Sequence, residues 1–189
     1  MAGTYNTAIM GATGAVGQVM LEILAERDFP IDELRLLASS RSAGKTIEFE
    51  GEAITVEELG AGSFAGIDLV LASAGGSLSR EFAPHAVSAG AVVVDNTSAF
   101  RMDSDVPLVI PEINPGDLES HSGIVANPNC STIIMDVVVW PLHQHNPVKR
   151  LVVSTYQAVS GAGAKAMEEL EVRTREVLAG RPAKPKELP

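Results

Sequence analysis

The sequence is poor in cysteine, in aromatic residues and in positive charge. It has one cysteine in 189 residues, aromatic residues make up 4%, and 14 Lys and Arg oppose 24 Asp and Glu, which gives a formal net charge of −10. A single cysteine excludes an internal disulfide and a thiolate metal cluster. The acidic balance argues against general binding to nucleic acid or to anionic membrane, because both need clustered basic residues. The lone thiol is left for packing or for chemistry.

Long apolar runs are also missing. No stretch approaches the roughly 18 residues of a transmembrane helix, and residues 1–6 lack the basic and apolar regions of a secretory signal. Hydrophobic residues at 46% and charged residues at 20% are typical of a globular protein. We therefore expect a cytoplasmic protein with one domain, or with one domain and part of a second.

Short β-branched runs alternate with helical patterns, which is typical of a mainly parallel α/β sheet. Helices are predicted at residues 14–27, within 79–89, at 131–145 and at 164–179. A hairpin is predicted around Gly51. The predicted strands are residues 7–10, 34–38, 46–49, 53–56, 67–72, 91–95, 124–126 and 151–159.

Several of these elements carry more specific predictions. Pro141 is expected to kink or shorten the third helix. Because strand 151–159 has no later strand to pair with, the chain is expected to stop partway through a second domain. The first helix is expected to place Val16, Met20, Ile23 and Leu24 together on one apolar face. The last helix is expected to form two ion pairs on its solvent side, Glu169 with Arg173 and Glu171 with Arg175.

A glycine-rich segment, residues 11–17 (GATGAVG), joins the first strand to the first helix. Its G-x-x-G-x-x-G spacing differs by one residue from the G-x-G-x-x-G dinucleotide fingerprint. Glycines at such a turn let the backbone approach a pyrophosphate, whose charge meets the helix N-terminus. The strand–turn–helix context favours nucleotide binding over a glycine turn without a ligand.

The loop after the second strand bears on which dinucleotide would bind. NAD-binding proteins usually place Asp or Glu there, to hold the ribose 2′-hydroxyl. Here Ser39, Ser40, Arg41 and Ser42 follow the strand. Hydroxyls and a guanidinium suit a 2′-phosphate, so the sequence predicts NADP as the cofactor. NAD is the weaker alternative, and the loop could instead be a solvated polar loop that binds no nucleotide. Residues 73–76, Ser-Ala-Gly-Gly, follow the predicted strand at residues 67–72 at its C-terminal end, and they either approach the cofactor or cap the turn.

Cys130 follows Asn127-Pro128-Asn129 and immediately precedes an apolar helix. The helix dipole and the free N–H groups of a helix N-terminus favour a thiolate. A buried core cysteine is the alternative, but the polar loop favours a reactive nucleophile.

A base for this thiol is not evident among the four histidines. His143 and His145 lie about 20 Å along the same predicted helix. His121 is expected at the opposite end of the sheet from the thiol. His85 stays open as a base, although a surface role suits it better.

The chain resembles the aspartate-semialdehyde dehydrogenases. The resemblance covers essentially the whole chain through six segments in order: residues 11–17, 39–45, 73–76, 95–101, 127–132 and 154–161. It implies an NADP-binding, Rossmann-type, doubly wound and mainly parallel sheet at residues 1–129. The start of a truncated α+β catalytic and dimerisation domain would follow at residues 130–189, and the protein would form a homodimer.

The activity implied by the resemblance is NADPH-dependent reductive dephosphorylation of L-aspartyl 4-phosphate to the semialdehyde, in the biosynthesis of lysine (through diaminopimelate), threonine, methionine and isoleucine. Cys130 would form the thioester, and Gln157 would be a second catalytic residue that orients the substrate. Arg101, Asn129 and Gln157 would bind phosphate or substrate. The implied cofactor contacts are Gly11, Thr13, Gly14, Ala15, Val16, Gly17, Ser39, Arg41, Ser42, Ser73, Gly75, Gly76, Asn96, Ser160 and Gly161.

The family's catalytic histidine and further substrate ligands lie later in its chain. We therefore expect nucleotide binding with negligible turnover from these 189 residues alone. N-acetyl-glutamyl-phosphate reductases are an alternative with similar chemistry, but their cysteine motif reads Asn-Pro-Gly-Cys, so Asn129 favours the aspartyl family. A non-catalytic NADP-binding fragment with an idle Cys130 is the other alternative.

Overall fold

The computed structural model describes residues 3–182, 184 and 186. Seven strands form one sheet in the order β3-β4-β2-β1-β5-β6-β7, parallel except for the antiparallel pair β3–β4. The predicted doubly wound, mainly parallel α/β sheet is therefore confirmed. The strands are β1 Tyr5–Met10, β2 Ile31–Ala38, β3 Thr46–Phe49, β4 Glu52–Glu58, β5 Leu69–Ala72, β6 Val92–Asp95 and β7 Ile124–Ala126.

Four α-helices accompany the sheet: α1 Ala15–Glu26, α2 Gly76–Ser88, α3 Cys130–His145 and α4 Ala164–Leu178. Residues Pro115–Ser120 and Val159–Ala162 form short 3-10 helices. No helix within the described part of the chain has the length and apolar character needed to cross a membrane.

The sheet is covered on both faces, as parallel sheets require. Successive residues of β1 are fully buried and belong to two different core clusters, Ala8 and Met10 on one face and Ile9 on the other. The first cluster includes alanines of α2, and the second includes leucines of α1. This alternation follows from the two-residue period of a strand.

The buried face of α1 differs from the predicted one. Gly17, Leu21 and Leu24 are buried, whereas Val16 and Ile23 are 40% and 42% exposed. The predicted apolar stripe is therefore wrong at Val16 and Ile23, whereas Leu24 is buried as predicted and Met20 packs against the same core cluster. The prediction passed over Gly17, which has no side chain to count and packs directly against the preceding turn. The buried residues form the i, i+4, i+7 row that begins at Gly17.

The predicted hairpin around Gly51 is confirmed by the antiparallel pairing of β3 with β4. Its two central residues, Glu50 and Gly51, both have positive φ, 50° and 84°. Left-handed backbone at both central positions is what a tight hairpin turn requires.

The edge strand β7 is covered by a neighbouring segment. Leu108 forms an isolated parallel bridge with Ala126. The Ala126 N–H donates to the Pro107 carbonyl at 2.9 Å, and the Val109 N–H donates to the Ala126 carbonyl at 3.1 Å. Residues 107–109 therefore satisfy hydrogen-bonding groups at the end of the sheet.

Beyond the sheet, the predicted strand at residues 151–159 is wrong, and one of the two effects predicted for Pro141 does not occur. Residues 151–158 form no strand in the described chain, because a strand exists only through pairing and all seven described strands belong to the first sheet. Pro141 does not shorten α3, which continues to His145. One proline removes one N–H donor from a helix, and here the helix tolerates that loss.

The chain divides into two compact units, Met1–Lys149 and Arg150–Pro189. Within the second unit, the predicted pairs Glu169–Arg173 and Glu171–Arg175 both form. Only the second pair faces solvent. The Glu169 and Arg173 side chains are 10% and 15% exposed. They lie three and seven residues after the buried Ala166, on the same face of α4.

Candidate nucleotide and thiol site

Five chain segments meet at one edge of the sheet. The parallel register pairs Met10 with Leu37 and Ala72, then Ala72 with Asp95 and Asp95 with Ala126. The strands therefore end level with one another, and the segments that follow them lie along the same carboxyl edge. In open α/β sheets this edge is where ligands bind.

Gly11 begins the first of these segments and lets two loops approach closely. Its φ is +97°, and its N–H donates to the Leu37 carbonyl at 2.8 Å. A Cβ at this position would lie 2.8 Å from the Ser73 carbonyl oxygen. The glycine turn and the segment after β5 are therefore in direct backbone contact, which only glycine allows here.

Gly17 has a different role from Gly11. A Cβ at Gly17 would lie 2.4 Å from the Gly11 carbonyl oxygen and 2.8 Å from the Ala12 Cα. The helix is thus packed onto its own preceding turn, and the Gln18 Nε2 group fixes that turn by donating to the Ala12 carbonyl at 2.7 Å. Sequence reasoning missed Gln18, whose only signal is a polar side chain directly after the last glycine.

The N-terminus of α1 is open to solvent. Residues 13–16 are exposed, and the Gly14 N-cap has extended backbone with no side-chain hydrogen bond. The first N–H groups of a helix have no partner within it. This exposed N-terminus fits a pyrophosphate, as the glycine spacing predicts.

The segment after β2 lies beside the glycine turn. The Thr13 and Ser42 hydroxyls are 3.3 Å apart. The Ser39 carbonyl accepts from the Ser42 N–H at 2.8 Å, which closes a tight turn around Arg41. Arg41 is exposed and makes no ion pair among residues 3–182. A free guanidinium flanked by hydroxyls fits a 2′-phosphate.

The segment after β5 has a clear structural requirement for one glycine. Gly75 has φ +100° and is the N-cap of α2. Ser73 donates its N–H to the Met10 carbonyl at 2.8 Å and so continues the pairing with β1. Gly76 is uncrowded, since the nearest atom to a Cβ there is the Ala99 Cβ at 4.0 Å. The two alternatives for this segment, cofactor contact and turn cap, both remain compatible with its geometry.

A buried carboxylate organises the segment after β6. Asp95 is fully buried and accepts from the Ser79 hydroxyl at 2.9 Å, from the Thr97 N–H at 3.1 Å and from the Thr97 hydroxyl at 2.7 Å. These donors offset the cost of burying the carboxylate. In the sequence, Asp95 could have been recognised as a carboxylate at the end of an apolar strand. Its partners could not be predicted because Ser79 comes from the preceding helix.

Arg80 holds the next part of the same segment. It forms an ion pair with Asp103, donates to the Ala99 carbonyl and lies 4.6 Å from the centre of the Phe100 ring. The hydrogen bond from Arg80 lowers the pKa of Asp103, and the same bond raises the pKa of Arg80. Residues 99–103, which include Arg101, are therefore attached to α2.

This ion pair predicts a pH dependence of stability. Because the pKa of Asp103 is lower in the folded than in the unfolded chain, its contribution is present above the ordinary aspartate pKa and is lost as pH falls through the folded value. We expect Asp103→Asn to be slightly less stable than wild type at neutral pH, with the difference vanishing in acid. Urea unfolding across this range measures it, with the exposed Asp105→Asn as control. A difference that grows toward acid pH would contradict the assignment.

Arg101 lies at the ends of β6 and β7. Its Nε donates to the Asn127 carbonyl at 2.9 Å, and its Nη2 donates to the Asn96 carbonyl at 3.1 Å. The Asn96 Oδ1 accepts from the Asn127 Nδ2 at 2.7 Å. The structure thus brings the predicted residues Arg101 and Asn96 together, through Asn127, whose side chain was not predicted to take part.

Cys130 is the first residue of α3, and its side chain is exposed. The alternative of a buried core cysteine is therefore excluded. Asn129 is the N-cap, and its Oδ1 accepts from the Ser131 N–H at 3.0 Å. Since the amide oxygen is used by the cap, only the Nδ2 group of Asn129 is available as a donor to a ligand.

No histidine hydrogen-bonds to Cys130 among the described residues. His143 lies in the last turn of α3, where its Nδ1 accepts from the Val148 N–H at 3.1 Å and its ring stacks on Trp140. His121 precedes β7, at the opposite end of that strand from the cysteine, as predicted. His85 lies in the last turn of α2.

The remaining predicted residues belong to the second compact unit. Gln157, Ser160 and Gly161 are exposed, and the last two lie in the 3-10 helix Val159–Ala162. The Gly161 N–H donates to the Ala158 carbonyl at 3.2 Å, which is part of this turn. Their roles stay predictions.

Two family models match the chain. The semialdehyde dehydrogenase NAD binding domain matches residues 6–121, and the semialdehyde dehydrogenase dimerisation domain matches residues 139–189. The chain belongs to the semialdehyde dehydrogenase family. The resemblance found in the sequence is thereby confirmed.

The relatives in sequence include several aspartate-semialdehyde dehydrogenases. The chain is 58% identical over 181 residues to the aspartate-semialdehyde dehydrogenase of Synechocystis, covering 96% of this chain and 54% of the relative. It is 50% identical over 184 residues to that of Bacillus subtilis, covering 97% and 53%. The chain thus spans about half the length of the curated relatives it matches.

Solved structures of the family agree with the fold. Aspartate semialdehyde dehydrogenase II of Vibrio cholerae superposes with a TM-score of 0.88 at 49% identity, covering 98% of this chain and 56% of that one. The same enzyme complexed with ASA gives 0.90 at 48% identity, covering 99% and 56%. The Candida albicans enzyme with NADP gives 0.63 at 27% identity, covering 77% and 48%.

Proposed function

We propose that this chain is part of an NADP-dependent aspartate-semialdehyde dehydrogenase, which converts L-aspartyl 4-phosphate to L-aspartate 4-semialdehyde. The observation that carries the proposal is the exposed Cys130 at the N-terminus of α3, at the same sheet edge as the glycine turn. Family membership and relatives such as the Synechocystis enzyme support it. We further propose that nucleotide binding belongs to residues 1–129, that residues 130–189 begin the catalytic domain, and that the protein is a cytoplasmic homodimer.

Cys130 acts as the nucleophile in this proposal. Its thiolate attacks the acyl carbon of aspartyl phosphate, the C–S bond forms, and the C–O bond to phosphate breaks. The Asn129 Nδ2 group donates to the developing oxyanion, since the other end of that amide caps the helix. When bound, NADPH supplies the hydride that reduces the thioester and releases the aldehyde. Gln157 orients the substrate.

Arg101 binds the departing phosphate in this proposal. Its Nε and Nη2 groups are anchored to two backbone carbonyls, which leaves the Nη1 side of the guanidinium without a protein acceptor among the described residues. An anchored guanidinium loses little conformational entropy when it binds an anion.

The covalent intermediate provides the direct test. We expect incubation of the complete enzyme with aspartyl phosphate to add the mass of an aspartyl group to the peptide containing Cys130, and hydroxylamine to remove it. A protein that binds NADPH but never acquires this adduct would contradict the assignment of Cys130 as nucleophile.

Arg41 is expected to determine the preference for NADP. Arg41→Ala should weaken NADPH binding about tenfold or more, the scale of one lost charge-assisted hydrogen bond, and change NADH binding by less than about twofold. Fluorescence titration with each nucleotide measures both. Arg27→Ala, an exposed arginine at the other end of α1, is the matched control. Equal loss for the two nucleotides would contradict the role.

A further inference from the structure

Asn127 connects the end of β7 to the end of β6 by three hydrogen bonds. Its N–H donates to the Asp95 carbonyl at 2.8 Å, its Nδ2 donates to the Asn96 Oδ1 at 2.7 Å, and its carbonyl accepts from the Arg101 Nε at 2.9 Å. Arg101 also donates to the Asn96 carbonyl at 3.1 Å. Asn96, Arg101 and Asn127 therefore form a closed ring of hydrogen bonds.

Only two residues separate this ring from Cys130, and both are constrained. Pro128 is buried, and the proline ring fixes its φ. Asn129 is held as the N-cap by its hydrogen bond from the Ser131 N–H. Few free backbone torsions are left between Asn127 and Cys130, so the backbone position of Asn127 constrains where α3, and with it Cys130, begins.

Asn127 also determines which end of the Asn96 side-chain amide is free to bind a ligand. A side-chain amide has one acceptor oxygen and one NH2 group. Because Asn127 donates to the Asn96 Oδ1, the Asn96 Nδ2 is left as a donor, and it has no acceptor among the described residues. Asn96 is one of the cofactor contacts that the resemblance implies, and its free NH2 group is a donor of the kind that the carbonyl oxygen of the nicotinamide carboxamide needs.

Resting on the proposed function, we propose that Asn127 is a positioning residue with two effects. It fixes the turn that carries Cys130, and it orients the Asn96 amide so that its NH2 group donates to the nicotinamide carboxamide. One residue would thereby place the cofactor and the nucleophile relative to each other.

Two substitutions separate these effects. Asn127→Asp keeps the shape but cannot donate, so it loses the bond to Asn96 or forces that amide to turn over. Asn96→Asp still accepts from Asn127 but has no NH2 group. We expect both to weaken NADPH binding about tenfold. Asn127→Asp should also slow alkylation of Cys130 by iodoacetamide about threefold or more, a larger change than Asn96→Asp produces.

Asn114→Asp is the matched control. Asn114 is likewise half-buried. Its Oδ1 accepts from the Ile110 N–H, and its Nδ2 donates to the Leu108 carbonyl and to the Asp117 carboxylate, so its change to aspartate also removes side-chain donation. Its change to aspartate should alter neither measurement by more than about twofold. Thermal unfolding of every variant checks that the fold is retained.

The outcomes distinguish the inference from the proposed function. If Asn127→Asp matches Asn114→Asp in both measurements, the positioning role is overturned. If Asn96→Asp slows alkylation as much as Asn127→Asp, the separate effect on the thiol is overturned. A wild-type chain that binds no NADPH overturns the proposed function and the role of Asn96 with it, while the alkylation rates still decide whether Asn127 positions Cys130.

Discussion

Cys130→Ser is expected to lower the turnover of the complete enzyme by at least about a thousandfold, because the nucleophile forms the intermediate. A serine hydroxyl is far less nucleophilic than a thiolate. The change is nearly isosteric at an exposed position, so the fold should be unaffected. NADPH affinity should change by less than about twofold. Phosphate-dependent reduction of NADP with the aldehyde measures the rate.

Ser131→Ala is the matched control for this substitution. Ser131 follows Cys130 in the first turn of α3, and the atom that Asn129 uses is its backbone N–H, which the variant keeps. Turnover should stay within about threefold of wild type. Substantial activity in Cys130→Ser would show that the chemistry does not pass through this sulfur.

Gly17→Ala is expected to produce the largest loss of stability, about 3 kcal/mol. The new methyl group would lie 2.4 Å from the Gly11 carbonyl oxygen and 2.8 Å from the Ala12 Cα, both backbone atoms that cannot turn aside. The helix must move away from the turn, and the N–H groups at its N-terminus move with it. NADPH binding should therefore also weaken, by about tenfold or more.

Gly62→Ala controls for the intrinsic effect of adding a methyl group. A Cβ at Gly62 would meet no atom within 4 Å, and the backbone there does not have a positive φ, so the change should be neutral or slightly stabilising. Urea unfolding gives the free energy of unfolding for both variants. Equal stability of the two would contradict the close packing of α1 on the glycine turn.

Local patterns predicted the parts of the site that lie close together in sequence. The spacing of Gly11, Gly14 and Gly17 was sufficient for the strand–turn–helix unit, and the position of Cys130 before an apolar run was sufficient for its place at a helix N-terminus. In these cases a few neighbouring residues determine the backbone, and periodicity detects them.

The side-chain network around Asn127 could not be predicted in this way. Asn96 directly follows β6, Asn127 directly follows β7, and Arg101 lies in the loop between these strands, so their contact depends on the spatial order of the strands rather than on sequence spacing. The predicted strand at residues 151–159 was wrong for the same reason, because an apolar run becomes a strand only when a partner is available. The sequence spacing of Glu169 and Arg173 predicts that they form an ion pair, but it does not predict which side of α4 is buried.

The bridge between Leu108 and Ala126 has a consequence for the behaviour of the protein at high concentration. An uncovered final strand offers its backbone to other molecules and so promotes aggregation. Here a short segment beginning with Pro107, which itself has no N–H to offer, occupies that backbone. At the opposite edge of the sheet, β3 has only four residues and includes a glutamate. A short, charged edge strand discourages pairing with a strand of another molecule.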